Sequence, residues 1–173
     1  MAGLFRKTAF AVLILVGPAA AGPGRAADAL SMPAGEVVLR VTGAITAIND
    51  GTSAVFDMAM LEALPQAEIE TETPWTEGMT TFTGFRLTDL LSLLGTGGVT
   101  LKAHALNDYE VEVPIEDAAS YGVVVAYRMN GAPMPASDKG PLWIIYPYSD
   151  VSDLRTETFY ARALWNLDRL IVE

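Results

Sequence analysis

The sequence contains no cysteine, a single histidine and only 11 basic residues against 21 acidic ones in 173 positions. Without cysteine there is no disulfide, no thiolate zinc site, no iron–sulfur cluster and no thiol nucleophile. One histidine, His104, excludes any site built on two imidazoles, and no G-x-S-x-G elbow is present to carry a serine nucleophile. A formal net charge of −10 leaves no basic stripe to neutralise phosphates, which excludes a nucleic-acid partner. No spaced acidic run matches a calcium loop. Long apolar stretches are scarce as well. The clearest, residues 9–16, is interrupted by Gly17-Pro18, well short of the roughly 20 residues a spanning helix needs.

That first segment reads as an export signal. Arg6 and Lys7 precede the apolar run, and the small residues of Ala19-Ala20-Ala21 or Gly24-Arg25-Ala26 suit a cleavage site. Residues 1–27 are expected to be a signal peptide and residues 28–173 a single domain; the competing reading is a retained membrane anchor. A twin-arginine signal needs two arginines where this chain has Arg6-Lys7. The expected route therefore threads the chain unfolded into the periplasm, and any ligand is acquired there. Removing residues 1–27 takes away three basic residues and no acidic one, so the remainder is more acidic still. With no disulfide available in an oxidising compartment, stability must come from the core.

Hydrophobic periodicity predicts an α+β class, mostly β. Residues 36–42 read as a first strand and Asn49-Asp50-Gly51 as a turn. Asp57 is placed to cap a short helix over 58–64, which Pro65 stops. Residues 85–94 form the clearest helix, with Leu87, Leu90, Leu91 and Leu94 on one face and Gly95 closing it. Residues 99–106 and 109–113 read as a strand pair around Asn107-Asp108, with Tyr109, Val111 and Val113 facing in. A helical turn over 114–120 precedes a strand over 123–129, which Asn130-Gly131 ends with a hairpin signal. Residues 142–146 read as a buried strand, and 164–172 close the sheet. The glycines of Gly95-Thr96-Gly97-Gly98 follow a helix instead of opening one, which makes them a stop and not a phosphate loop. His104 alternates with Lys102 on a polar strand face and reads as an exposed histidine.

The aromatic residues are the most informative. Six of the 15 lie between positions 143 and 165, interleaved with Lys139, Asp150, Asp153, Arg155 and Arg162. Rings that stack on a flat ligand, beside charged groups that pair with its edges, suit an amphipathic heterocycle. Trp143 and Tyr146 belong to a buried strand and read as packing. Tyr148, Arg155, Tyr160 and Arg162 follow Pro147 in a polar segment and are the better candidates. Trp75 sits in a second polar loop, residues 71–78; it either caps the edge of the core or faces a ligand.

Several segments carry a resemblance in their order and spacing. They are residues 82–91 (FTGFRLTDLL), 107–114 (NDYEVEVP), 126–135 (AYRMNGAPMP), 140–147 (GPLWIIYP) and 165–170 (WNLDRL). Together they resemble the molybdopterin-binding domain of the sulfite oxidase family over residues 35–173. The resemblance implies that family's fold, with mixed sheets and a few short helices. In its enzymes a cysteine four residues before a tryptophan gives its thiolate to molybdenum; here Thr71 stands four residues before Trp75. A threonine hydroxyl is a hard, high-pKa donor and does not replace a thiolate. The chain is most similar to short, exported, cysteine-less relatives that bind pterins in the periplasm and report to membrane-bound enzymes of cyclic-dinucleotide signalling.

The expectation is therefore a non-catalytic pterin-binding protein, with a non-metallated pterin in place of molybdopterin and no metal ligand. Trp75 and Tyr148 are expected to stack on the ring, with Asn107, Asp108 or Asp150 pairing its amino-amide edge. Arg155 and Arg162 would hold the ligand's side chain, with Thr71 and Tyr160 completing the site. The alternative is a molybdenum-cofactor-dependent oxidoreductase of the sulfite oxidase family using a non-cysteine ligand. A third reading is a scaffold that kept the fold and lost the ligand.

Overall fold

The computed structural model describes residues 30–173. The expected signal peptide lies outside the described residues. The chain opens with strand β1, Val37–Gly43, whose Leu39 and Val41 are buried while Arg40 and Thr42 alternate to the other face. Strand β2, Ala54–Asp57, returns antiparallel to it. The carboxylate of Asp57 then caps helix α1, Met58–Glu62, by accepting from the Met60 amide at 2.9 Å. The same carboxylate accepts from the amides of Ala34 and Gly35 at 2.8 and 2.7 Å. These amide donors hold its pKa below the usual carboxylate value.

Strands β3, Gln66–Thr71, and β4, Thr80–Arg86, form an antiparallel pair that begins the second sheet. Helix α2, Leu87–Leu94, follows directly, burying Leu87, Leu90, Leu91 and Leu94 and ending at Gly95 with φ 59°. Phe85 and Arg86, expected in that helix, belong to β4, because both pair with β7, opposite Val125 and Val124, and Phe85 is fully buried in the core. Strands β5, Thr100–Ala105, and β6, Glu110–Pro114, make the expected hairpin. Helix α3, Ile115–Tyr121, leads to β7, Val124–Met129. Asn130 and Gly131, at φ 50° and 79°, turn the chain into the two-residue strand β8, Ala132–Pro133. Strand β9, Trp143–Ile145, a 3-10 turn at Ser152–Leu154, helix α4, Glu157–Arg162, and strand β10, Leu167–Val172, complete the order.

Two five-stranded sheets result. The first runs β2-β1-β10-β5-β6, with β1 and β10 parallel at its centre; the second runs β3-β4-β7-β8, with β9 also paired to β7. Alternation along β7 and β9 divides two hydrophobic clusters. Val125, Tyr127, Ile144 and Tyr146 join the main core shared with α2 and the first sheet. Val124, Ala126, Trp143 and Ile145 join a smaller cluster with Ala67, Ile69 and Phe82 on the opposite face. Both faces of this sheet are covered around β7 and β9, so Val124–Tyr127 and Trp143–Ile145 read as unbroken apolar runs. Gly84 lies where β4 shifts register against β7, and a methyl group there would overlap the Val125 carbonyl.

Candidate functional site

Trp75 lies at the meeting point of the two hydrophobic clusters, partly buried against both. Its loop is held by local hydrogen bonds: Thr73 Oγ1 accepts from the Trp75 amide at 3.2 Å and lies 2.9 Å from Thr76 Oγ1. Around the indole stand Tyr160 of α4 and Trp165, which precedes β10. The ring centroids of Trp75 and Tyr160 are 5.8 Å apart at 82°, and those of Trp75 and Trp165 are 5.5 Å apart at 75°. Trp165 is fixed by a backbone bridge to Trp143 and by its neighbour Asn166, at φ 53°. The Asn166 amide side chain donates to the carbonyls of Ala136 and Asp138, both at 3.1 Å.

These rings wall a cavity of about 390 Å³. Its other sides are the tip of the β5–β6 hairpin, with Asn107 and Tyr109, and the small residues Ala161 and Ala163 at the end of α4. Tyr109 is exposed, not inward-facing as the alternation predicts, because β6 begins only at Glu110 and the turn rotates the tyrosine onto the cavity rim. Asn107 supplies the amide side chain of the lining; its Oδ1 accepts from the Tyr109 amide at 3.2 Å. No lysine or arginine is among the residues that line it.

Three residues expected at a ligand site, Trp75, Asn107 and Tyr160, thus meet at one cavity. The others lie elsewhere. Thr71 is fully buried at the end of β3, where its hydroxyl accepts from the Ser149 amide at 2.9 Å and donates towards the Glu72 carbonyl or Ser149 Oγ, at 3.3 and 3.2 Å. The Glu72 amide donates to Ser149 Oγ at 2.9 Å, so the pair latches the two segments together. Tyr148 is 1% exposed and donates to the Phe159 carbonyl at 3.2 Å. It backs Tyr160, with centroids 5.1 Å apart, instead of lining the cavity. Burial raises the pKa of its phenol.

Arg162 turns away from the cavity towards buried Asp117 of α3, at 2.9 Å. The Tyr146 hydroxyl donates to the same carboxylate oxygen at 2.8 Å, and burial together with that carboxylate raises the Tyr146 pKa. Arg155 is exposed and spends its Nε on the Tyr148 carbonyl at 2.8 Å. Asp108, at φ 62° in the hairpin turn, pairs with Arg169 at 2.6 Å, and Asp150 is exposed in the turn after Pro147. His104 is more covered than a polar strand face implies, at 16% side-chain exposure. Its Nε2 lies 3.2 Å from Glu110 Oε2 but is misaligned for a hydrogen bond. Trp165 was visible in the sequence as part of the aromatic run; what singled it out was lacking there, since only the return of β10 to β1 brings it against Trp75.

Among solved structures, the chain is similar to the sulfane dehydrogenase SoxCD from Paracoccus pantotrophus, with a TM-score of 0.57 and 18% identity. The match covers 78% of this chain but 37% of that one, so the present chain spans little more than a third of its length. At this identity the likeness establishes the fold. No curated protein matches the chain. The profile described as the oxidoreductase molybdopterin binding domain matches residues 40–149, across both sheets and the Thr71–Trp75 loop, and the chain belongs to that family.

Proposed function

We propose that this protein is a non-catalytic, periplasmic pterin-binding protein that relays ligand occupancy to a membrane-bound cyclic-dinucleotide signalling enzyme. The observation that carries the reading is a contrast within a few residues. Thr71, which the family resemblance puts in place of the enzymes' cysteine, is buried and latched to Ser149, whereas four residues on Trp75 walls an open aromatic cavity.

The family's own cofactor fits this site poorly in two respects. A hydroxyl already committed to Ser149 and Glu72 is neither soft nor free enough to hold molybdenum. No group of histidine, aspartate and glutamate side chains suited to a metal occurs among the described residues. The cavity also lacks the guanidinium or ammonium groups that would clamp a phosphate tail. A pterin ring without metal or phosphate suits it better: the indoles and phenols offer stacking faces, and Asn107 offers an amide for the ring's edge.

Titration of the purified protein with a free pterin, followed by ligand fluorescence, should saturate at one site, and Trp75→Ala should weaken it. Deleting the protein should change the output of a periplasm-facing signalling enzyme, and a pulldown that recovers no membrane protein would count against the relay. The family's name favours a second reading, a molybdenum-dependent oxidoreductase with a non-cysteine ligand. Elemental analysis of native protein decides between them: about one molybdenum per chain would restore the oxidoreductase.

A further inference from the structure

We infer that the cavity is a cation-selecting aromatic cage: it favours a flat ring that carries positive charge, accepts the neutral analogue less well and rejects the anionic one. The inference concerns the charge a ligand can bear, whatever heterocycle it is, so it stands apart from the pterin reading.

Trp75 meets Tyr160 and Trp165 at 82° and 75°, so the rings are adjoining walls of a box and not a parallel stack. Tyr109 stands at its rim. Ring faces carry negative quadrupole charge, and a cation held among several of them is attracted without needing a carboxylate partner. An anion in the same place would lose its hydration and meet no opposing charge.

The charges around the box point the same way. Three cations on the flanking segments are matched by an acid: Arg162 by Asp117 at 2.9 Å, Arg169 by Asp108 at 2.6 Å and Lys139 by Asp138 at 3.0 Å. Arg155 is turned to the Tyr148 carbonyl and does not line the cavity. The hairpin tip adds exposed Glu110 and the first turn of α4 adds exposed Glu157. The entrance therefore lies in the field of a chain with a large acidic excess.

The test uses matched probes and the quenching of tryptophan fluorescence. N-methylquinolinium should bind about tenfold more tightly than quinoline, and hydroxymethylpterin more tightly than pterin carboxylate. The preference should persist at high salt, where attraction by distant surface acids is screened. Ala161→Lys places an ammonium in the lining at an exposed helical position, and it should reverse both orders. Equal affinities within each pair, a preference for the anion, or no binding of any probe would overturn the inference. Binding of the quinolinium with failure of both pterins would sustain the cage and remove the pterin reading instead.

Discussion

Two groups of aromatic residues lie side by side in this protein and differ in what their polar tips and ring faces do. Tyr146, Tyr148 and Trp143 are buried, and each spends its donor on the protein, to Asp117, the Phe159 carbonyl and the Ala163 carbonyl respectively. Trp75, Tyr109, Tyr160 and Trp165 are only partly covered or exposed, and their rings bound the cavity. The residue types are the same, and positions 143–165 hold all of the first group and two of the second. The contrast teaches that an aromatic-rich segment is not itself a ligand site: satisfaction of the donor and closure of the faces separate scaffold from site.

The largest effect expected from breaking this division is at Asp117. Asp117→Ala leaves Arg162 without its acid and the buried Tyr146 hydroxyl without an acceptor, and should cost about 3 kcal/mol of stability, read as a lower urea midpoint. An unchanged midpoint would mean that α4 is held without this network. Tyr146→Phe removes one donor while Arg162 still pairs with Asp117, and should cost about 1 kcal/mol. Neither change should abolish ligand binding unless α4 moves.

Trp165→Ala sharpens the other side of the comparison. The residue is 37% exposed, so the fold should survive, while ligand affinity should fall by about 1 kcal/mol, or roughly fivefold. A large loss of stability with unchanged affinity would move Trp165 into the scaffold group. The smallest effect appears only in alkali. The phenols of Tyr146 and Tyr148 titrate above the unfolded value of 10.0, so their contribution to stability is complete below that pH. It is lost as pH rises, because the unfolded chain releases those protons first. A spectrophotometric titration should show these two tyrosines ionising only with unfolding, and Tyr148→Phe should remove part of that late signal.

Local chemistry made much of the fold legible. The Asp57 cap, the leucine face of α2 with Gly95, and the Asn130-Gly131 turn all rest on neighbours within a few residues, and all are present. The β3–β4 pair was not read from the sequence. Gln66–Thr71 does alternate, with Ala67, Ile69 and Thr71 inward and Gln66, Glu68 and Glu70 outward, but only Ala67 and Ile69 of its six residues are apolar, too weak a stripe to mark a strand. β4 is buried on both faces and shows little alternation, so its end merged with the helix that follows. Helix α4 buries no residue and has no side-chain cap; tethers such as Arg162–Asp117 hold it, and such tethers are invisible to periodicity. The same limit applies to the site. Trp75, Asn107 and Tyr160 stood out by residue type, but that Tyr148 and Arg162 face inward while Trp165 and Tyr109 border the cavity follows from tertiary pairing alone.

The central position of β10 has a consequence for the order in which this molecule can be built. The last strand inserts between β1 and β5, contributing the parallel partner of one and the antiparallel partner of the other. Until Leu167–Val172 has emerged, those two strands present open backbone edges, and the strands made earliest wait longest. Such long-range closure is slow and leaves sticky intermediates exposed. The nascent chain thus depends on whatever shields it during synthesis. Loss of the final strand would leave two unpaired edges at the middle of the first sheet, a template for aggregation.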